Sequence, residues 1–393
     1  MTSALLLPNW WPVVLERMLG VHLDDAAVTP RYAAALRRLS EYLNDTPSRR
    51  HATRPYLRDR VLRETYLLYY VTANMLKVLP PLLELRRGGG PGAMDTGDGS
   101  SDGAPLRVLD LGCGPGTGVA ALHAFLETLP EAPAVEMLAL DAVAANTDTA
   151  TALAAHLRDV TGRKVTLRTE TADLAHPPEL DAQFDLILGM NVLNELATGP
   201  ASRLRAWLTR HLAPQGDLLL IEPALRETSR MLLEYRDAAV KEDWTVFAPC
   251  FRQGGCPALR DAGDWCHHDV AWERPAFMAA LDEEVGNIKK SLKFSFLLLN
   301  RDGRTLRDHI ALRNPQRVVS ELLVEKGRAR CFVCGTEGRR MVMRNRRDRR
   351  EGNAAFDRIE RYDIVEVTGE EQRAHDMRIP AEGAVRRIPW VEI

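Results

Sequence analysis

Short apolar runs alternate with stretches of helical spacing through the middle of the chain. LRVLDL, VEMLAL, KVTLRT, FDLILGM and GDLLLIE are the runs. Strand-length apolar segments separated by helices specify βαβ units and a parallel sheet. Upstream, residues 1–86 predict helices, because RYAAALRRLSEYL and YLRDRVLRETYLLYYVTANMLKVLPPLLELRR place apolar side chains at helical spacing. Residues 87–105, rich in Gly, Asp and Ser, predict a flexible linker. After the fifth strand, TSRMLLEYRDAAVKE predicts a further helix and KFSFLLLN a strand that joins the sheet. VVSELLVE, RARCFVC, RRMVMRN and DIVEV make the end of the chain β-rich. The expected organisation is a helical region (1–86), a linker (87–105), an α/β domain (106–300) carrying an insert at 244–272, and a β-rich region (301–393). No internal repeat is visible.

A chain of 393 residues supports more than one core. Its formal net charge of −2 gives no global field toward nucleic acid or membrane. The apolar runs fall short of a membrane span, so no membrane partner is expected. MTSALLLPNWWPVVLERMLG lacks a basic n-region, a small-residue cleavage site and the Arg- and Ser-rich character of a transit peptide. The expectation is a cytoplasmic, bacterial-type setting. There, cysteines serve as ligands or free thiols more often than as disulfides. The oligomeric state is not encoded in any pattern of the sequence.

VLDLGCGPGTG follows the first strand and opens a helix. Gly112, Gly114 and Gly116 permit a tight turn and close approach of a ligand to the backbone, and the helix N-terminus offers N–H groups to a carboxylate. Asp110, two residues before the first glycine, makes the pattern resemble the first motif of class I S-adenosylmethionine (SAM)-dependent methyltransferases. It differs from the G-x-G-x-x-G of nicotinamide enzymes. Asp141, ending the second strand, is placed to accept ribose hydroxyls. Asp173, after the third, is placed for the adenine amino group. The expected fold class is thus an α/β, Rossmann-like class I methyltransferase sheet. Cys113, between two glycines, reads as a small packed residue. After the fourth strand comes Gly189-Met-Asn-Val-Leu-Asn-Glu195. The Asn/Asp-Pro-Pro-aromatic motif of amide-nitrogen methyltransferases is missing, as is a nucleophilic cysteine. Asn191, Asn194 and Glu195 could line the pocket or equally cap the following helix. Catalytic residues are not evident.

Cys250, Cys256 and Cys266 crowd one stretch, FAPCFRQGGCPALRDAGDWCHH, and Cys331 or Cys334 lies downstream. Four thiolates suit a [4Fe–4S] cluster or a structural zinc. The irregular spacing and Cys256-Pro257 favour the cluster, since zinc ribbons use paired C-x2-C knuckles. The C-x3-C-x2-C of radical SAM enzymes is absent. On a strand, Cys331 and Cys334 face opposite sides, so one is a ligand and the other core. His267 and His268 are possible substitutes for a cysteine. Between Lys326 and Arg350 stand Arg328, Arg330, Arg339, Arg340, Arg344, Arg346, Arg347, Arg349 and Arg350, opposed by Glu337 and Asp348. Guanidinium forks bind phosphates, and Arg339, Arg340, Arg344, Arg346 and Arg347 are the candidate RNA contacts.

Together these features resemble a methyltransferase-like family of small-ribosomal-subunit assembly proteins found in mitochondria and bacteria. YLRDRVLRETY looks like its helical lead-in, VLDLGCGPGTG its SAM loop, and PCFRQGGCP, DWCHH, KFSFLLLN and VCGTEG its later motifs in the same order. The resemblance implies SAM binding, a [4Fe–4S] cluster on Cys250, Cys256, Cys266 and Cys334 (rather than Cys331), and partners in small-subunit rRNA and ribosomal proteins. It leaves methyltransferase activity doubtful. The linker at 87–105 and the ending IPWVEI depart from the family pattern.

Overall fold

The computed structural model describes residues 4–25, 27–44, 56–90, 104–195, 201–286, 289–373 and 376–390. Eight strands form the first sheet: β1 (Leu106–Leu111), β2 (Val135–Asp141), β3 (Val165–Thr171), β4 (Phe184–Met190), β5 (Leu212–Pro223), β6 (Thr245–Ala248), β7 (His268–Ala271) and β8 (Ser291–Asn300). Their order is β3-β2-β1-β4-β5-β8-β6, with β7 also paired to β8. The first five strands are mutually parallel, and β8 runs antiparallel to β5, β6 and β7. The order reverses between β1 and β4, and an open α/β sheet binds ligands at the carboxyl ends of strands beside such a switch point.

The N-terminal region contributes α1 (Trp10–Leu19), α2 (Val28–Asn44), α3 (Arg60–Thr65), α4 (Thr72–Asn74) and α5 (Leu79–Arg87), with a π-helical turn at Tyr66–Val71. α6 (Thr117–Glu127) and α7 (Ala144–Thr161) follow β1 and β2; α8 (Ala201–His211) and α9 (Arg226–Lys241) flank β5; α10 (Ala276–Val285) precedes β8. The apolar runs are nearly continuous because both sheet faces are covered. Val108 and Leu186 pack in one layer with α6, α7 and the N-terminal helices. Leu109 and Ile187 pack in the other with α8 and α9. Among the described residues no helix is long and apolar enough to cross a membrane.

The second sheet comprises β9 (Gln316–Val318), β10 (Leu323–Glu325), β11 (Arg328–Gly335), β12 (Gly338–Asn345), β13 (Ile364–Thr368), β14 (Glu371–Gln372), β15 (Asp376–Ile379) and β16 (Ala384–Ile388). Its order is β14-β15-β12-β11-β9-β13-β16, with β10 on β11, and it encloses its own core around Val333, Val342 and Phe356. Two expectations change in detail. VVSELLVE is split, because β9 and β10 pair with opposite ends of β11. The ends of the expected 244–272 insert are β6 and β7, both in the first sheet, so the inserted loop is 249–267. Most of the expected linker, residues 91–103, lies outside the described residues.

Candidate functional site

The loop after β1 turns through left-handed backbone at Gly112, Gly114 and Gly116, with φ of +63°, +53° and +108°. The three positions differ in what surrounds them. A Cβ at Gly112 would meet Val192 at 2.8 Å and one at Gly116 would meet Leu153 at 2.8 Å, but one at Gly114 would meet nothing within 4 Å. Gly114 therefore borders open space. Asp141 holds this loop: one carboxylate oxygen accepts the Gly114 N–H at 2.9 Å, and the other accepts from Val143 N–H at 2.8 Å and the Asn146 amide at 3.0 Å. Asp173 follows β3, next to the Ala172 N–H that donates to the Asp141 carbonyl at 2.9 Å. Its carboxylate is exposed and accepts the Ala175 N–H at 2.9 Å. Asn191 sits at φ +59°, unusual for a non-glycine residue, and its N–H donates to Ile221 O at 2.7 Å.

Asp110 is buried beneath the loop, against Gly118. Burial, and then the Asp141 charge, push its carboxyl up to about 8. Because the folded value lies above the ordinary 3.8, the native state holds this proton longer than the unfolded chain does. Stability is thus full below the ordinary carboxylate range and is lost as pH rises toward about 8. Asp110→Asn should flatten the fall of Tm between pH 5 and 8.5, those limits set to bracket roughly the folded value; an unchanged slope refutes the assignment.

Two residues at this end of the sheet escaped the sequence reading. Glu222, fully buried at the end of β5, accepts the Leu193 N–H at 2.8 Å and so fixes the turn carrying Asn194 and Glu195. Burial raises its carboxyl to about 8. Tyr66, opening the π-helical turn, hydrogen-bonds the Asn191 side chain; burial, then the Glu195 charge, raise its phenol. The apolar spacing of YLRDRVLRETY signalled only a packed face.

The second site is a cavity of about 300 Å³ whose lining includes Cys250, Cys256, Cys266 and Cys334. Three come from the loop after β6 and the fourth from β11. Cys331 points the other way, into the core of the second sheet. Burial, and then neighbouring thiols, push the Cys266 and Cys334 groups up to about 12: Cys250 and Cys256 act on Cys266, and Cys250, Cys266 and Cys256 on Cys334. Helix α9 shapes the loop. Arg230 donates to the Asp261 and Asp264 carbonyls, each at 2.7 Å, Arg236 to Gly254 O at 2.7 Å, and Asp237 accepts the Cys256 N–H at 2.9 Å. The C-terminal sheet also grips it. Arg339 pairs with Asp264, Thr336 O accepts from Arg252 at 2.7 Å, and the Tyr362 hydroxyl donates to His267 O at 2.9 Å. Around the cavity, Arg236 Nε, Trp265 Nε1, Arg317 Nη2, Arg339 Nε and Arg361 Nε are buried donors with no partner among the described residues. Among those residues, no three His, Cys, Asp or Glu side chains converge as a group that could hold a metal ion. The thiols ring a space instead of meeting at a point.

The arginine block divides. Arg344 is buried under Phe356, with its guanidinium bonded to Asn353 O at 2.6 Å and to Asp357. It is a core residue of the second sheet and unavailable to phosphate, a correction to the expected RNA set. Arg339 is engaged with Asp264, and Arg340 pairs with Glu337 at 2.9 Å. Arg346 and Arg347 are exposed on the turn after β12, and the nearest acid to Arg347 is Asp348 at 4.0 Å.

The profile of the family described as mitochondrial small ribosomal subunit Rsm22 matches residues 97–359. Among solved structures, the chain is similar to magnesium protoporphyrin IX methyltransferase from Synechocystis PCC 6803 with bound SAM. That likeness has 14% identity over 64% of this chain and 97% of that one, at a TM-score of 0.36. It is also similar to the plantazolicin methyltransferase BpumL in complex with S-adenosylhomocysteine, with 13% identity over 67% of this chain and 100% of the other, at a TM-score of 0.35. A SAM-dependent methyltransferase from Thiobacillus denitrificans gives 16% identity, 50% and 86% coverage and a TM-score of 0.31. No curated protein matches the sequence.

Proposed function

This chain belongs to the mitochondrial small ribosomal subunit Rsm22 family, and on that premise we propose that it is a SAM-binding, [4Fe–4S]-carrying protein that acts in small-subunit assembly by binding rRNA. In this reading it works in a cytoplasmic, bacterial-type setting and contacts ribosomal proteins as well. The observation that carries the proposal is that four thiols from two distant segments line one cavity.

The residues fit the cluster. Four cysteines around a void suit a polynuclear group better than a single zinc ion, whose four ligands must meet at one point. The unpartnered buried donors of Arg236, Trp265, Arg317, Arg339 and Arg361 suit an anionic, sulfur-rich acceptor. Cys250, Cys256, Cys266 and Cys334 would be the ligands, and the cluster would supply structural cross-linking there.

The residues also fit SAM. Open space beside Gly114, a helix N-terminus at Thr117, and Asp141, Asp173 and Asn191 at the strand ends support a ligand with a carboxylate, a ribose and an adenine. Glu195, exposed on the turn after β4, supports the cationic sulfonium and ammonium groups of SAM, while buried Glu222 holds that turn in place. Gly114→Val puts a branched side chain into the open space and strains the left-handed turn, without meeting Val192 or Leu153 as a side chain at Gly112 or Gly116 would. Calorimetry should show SAM affinity falling at least about tenfold, ~1.4 kcal/mol; equal affinity rejects the site. Labelled SAM with immature small subunits separates an assembly factor from an active enzyme, because only the latter transfers label.

For RNA, the exposed Arg346 and Arg347 are the expected phosphate contacts. Replacing both with Gln should reduce the slope of log K against log salt by roughly 1.4–1.8, the release of about two counterions. An unchanged slope would mean that the turn does not touch RNA.

A further inference from the structure

His268 is 2% exposed, yet neither ring nitrogen has a hydrogen-bond partner among the described residues. Leaving a buried polar group unpaired costs about 1–3 kcal/mol, so such groups normally have a reason. The ring is firmly held. It stacks on Tyr362 at 4.2 Å between centroids, with Phe296 at 4.7 Å and Trp390 at 5.0 Å. Its backbone is fixed in β7 by register with Phe294 of β8. Aromatic rings offer no acceptor comparable to oxygen or sulfide. His268 also lines the cysteine cavity, two residues after Cys266. An imidazole carries at least one N–H in either protonation state. A buried, unpartnered donor held among aromatic rings and lining a cavity ringed by thiols is placed for an acceptor that is not protein.

We propose that His268 donates an N–H to a sulfur atom of the [4Fe–4S] group and thereby raises its reduction potential. This rests on the cluster reading above. Reduction adds one electron to the cluster and breaks no bond. The added negative charge is stabilised by donors aimed at the sulfurs, so each such bond favours the reduced form. Arg317 and Arg361 present unpartnered N–H groups to the same cavity and act in the same direction. Both are otherwise engaged, Arg317 with Glu84 and the Tyr362 carbonyl and Arg361 with His267 O and the Tyr362 ring. His268 is the neutral, ring-clamped contribution that can be removed alone.

The test uses the full chain, purified anaerobically with its cluster and titrated with dithionite as the electron donor while the reduced signal is followed by EPR. His268→Phe keeps the aromatic stack and deletes the N–H. At fixed potential the reduced-to-oxidised ratio should fall about tenfold, ~59 mV for a one-electron couple. His268→Gln, which retains an N–H, should recover part of the shift. An unchanged midpoint in the Phe variant overturns the proposal. If that variant does not hold a cluster, wild-type protein grown with 15N-histidine decides. Pulsed EPR should show a weakly coupled histidine nitrogen that persists in His267→Gln, and its absence overturns the proposal. Wild-type protein with neither iron nor sulfide instead refutes the cluster reading itself, and this inference with it.

Discussion

Glu84→Leu should destabilise the folded chain by about 3–5 kcal/mol, the cost of leaving a buried charge without its partner. Glu84 lies on α5 and Arg317 on β9, both nearly inaccessible to water, and they form an ion pair. Arg317 also donates to Tyr362 O at 3.0 Å and to Pro249 O at 3.2 Å, and it packs over the Phe251 ring. One guanidinium thus joins the N-terminal helices, the cysteine loop and the second sheet. Without the carboxylate, its charge stays buried because its other bonds still hold it. Glu84→Gln keeps an acceptor and should cost less. Urea unfolding measures both. A Leu variant within ~1 kcal/mol of wild type would show that water or another acid reaches Arg317.

Cys256→Ser carries the second large effect. On the proposed reading, losing the cluster would remove metal-binding energy that is also folding energy. The cluster would clamp the 250–266 loop to β11, and so fix the Arg346–Arg347 turn relative to the SAM cleft. The clamp is shared, however, with the Arg339–Asp264 pair and the Arg252 and Tyr362 hydrogen bonds. The expected result is an iron-free protein with a lowered Tm whose rRNA affinity at matched salt falls about tenfold, ~1.4 kcal/mol, without vanishing. Binding equal to wild type means the cluster does not position the arginines. Cys331→Ser is the contrast: it buries a hydroxyl in the core of the second sheet and should cost stability while leaving iron content unchanged.

The parallel strands were legible because burial on both faces turns each into an apolar run bounded by turns, and KFSFLLLN announced β8 the same way. The glycine loop was legible because its acid and glycines are contiguous. What could not be read depends on segments that meet only in space. Spacing placed Cys331 and Cys334 on opposite faces but could not say which face met the cavity; the core of the second sheet takes Cys331 and the cavity lining takes Cys334. Glu222 reads as the end of an apolar strand. Its role appears only when β5 lies beside β4 and brings its carboxylate to Leu193, 29 residues earlier. Arg344 sits in a run of arginines that are otherwise exposed or half-buried, yet near the end of β12 its side chain turns inward to Asn353 and Asp357. A charge run does not record which of its members the strand buries.

Iron, zinc and acid-labile sulfide analysis of protein purified anaerobically tests the central claim most directly. The account requires brown protein with about four irons and four sulfides per chain, the composition of a four-cysteine cubane site. Colourless protein carrying one zinc per chain, or no metal at all, would contradict it.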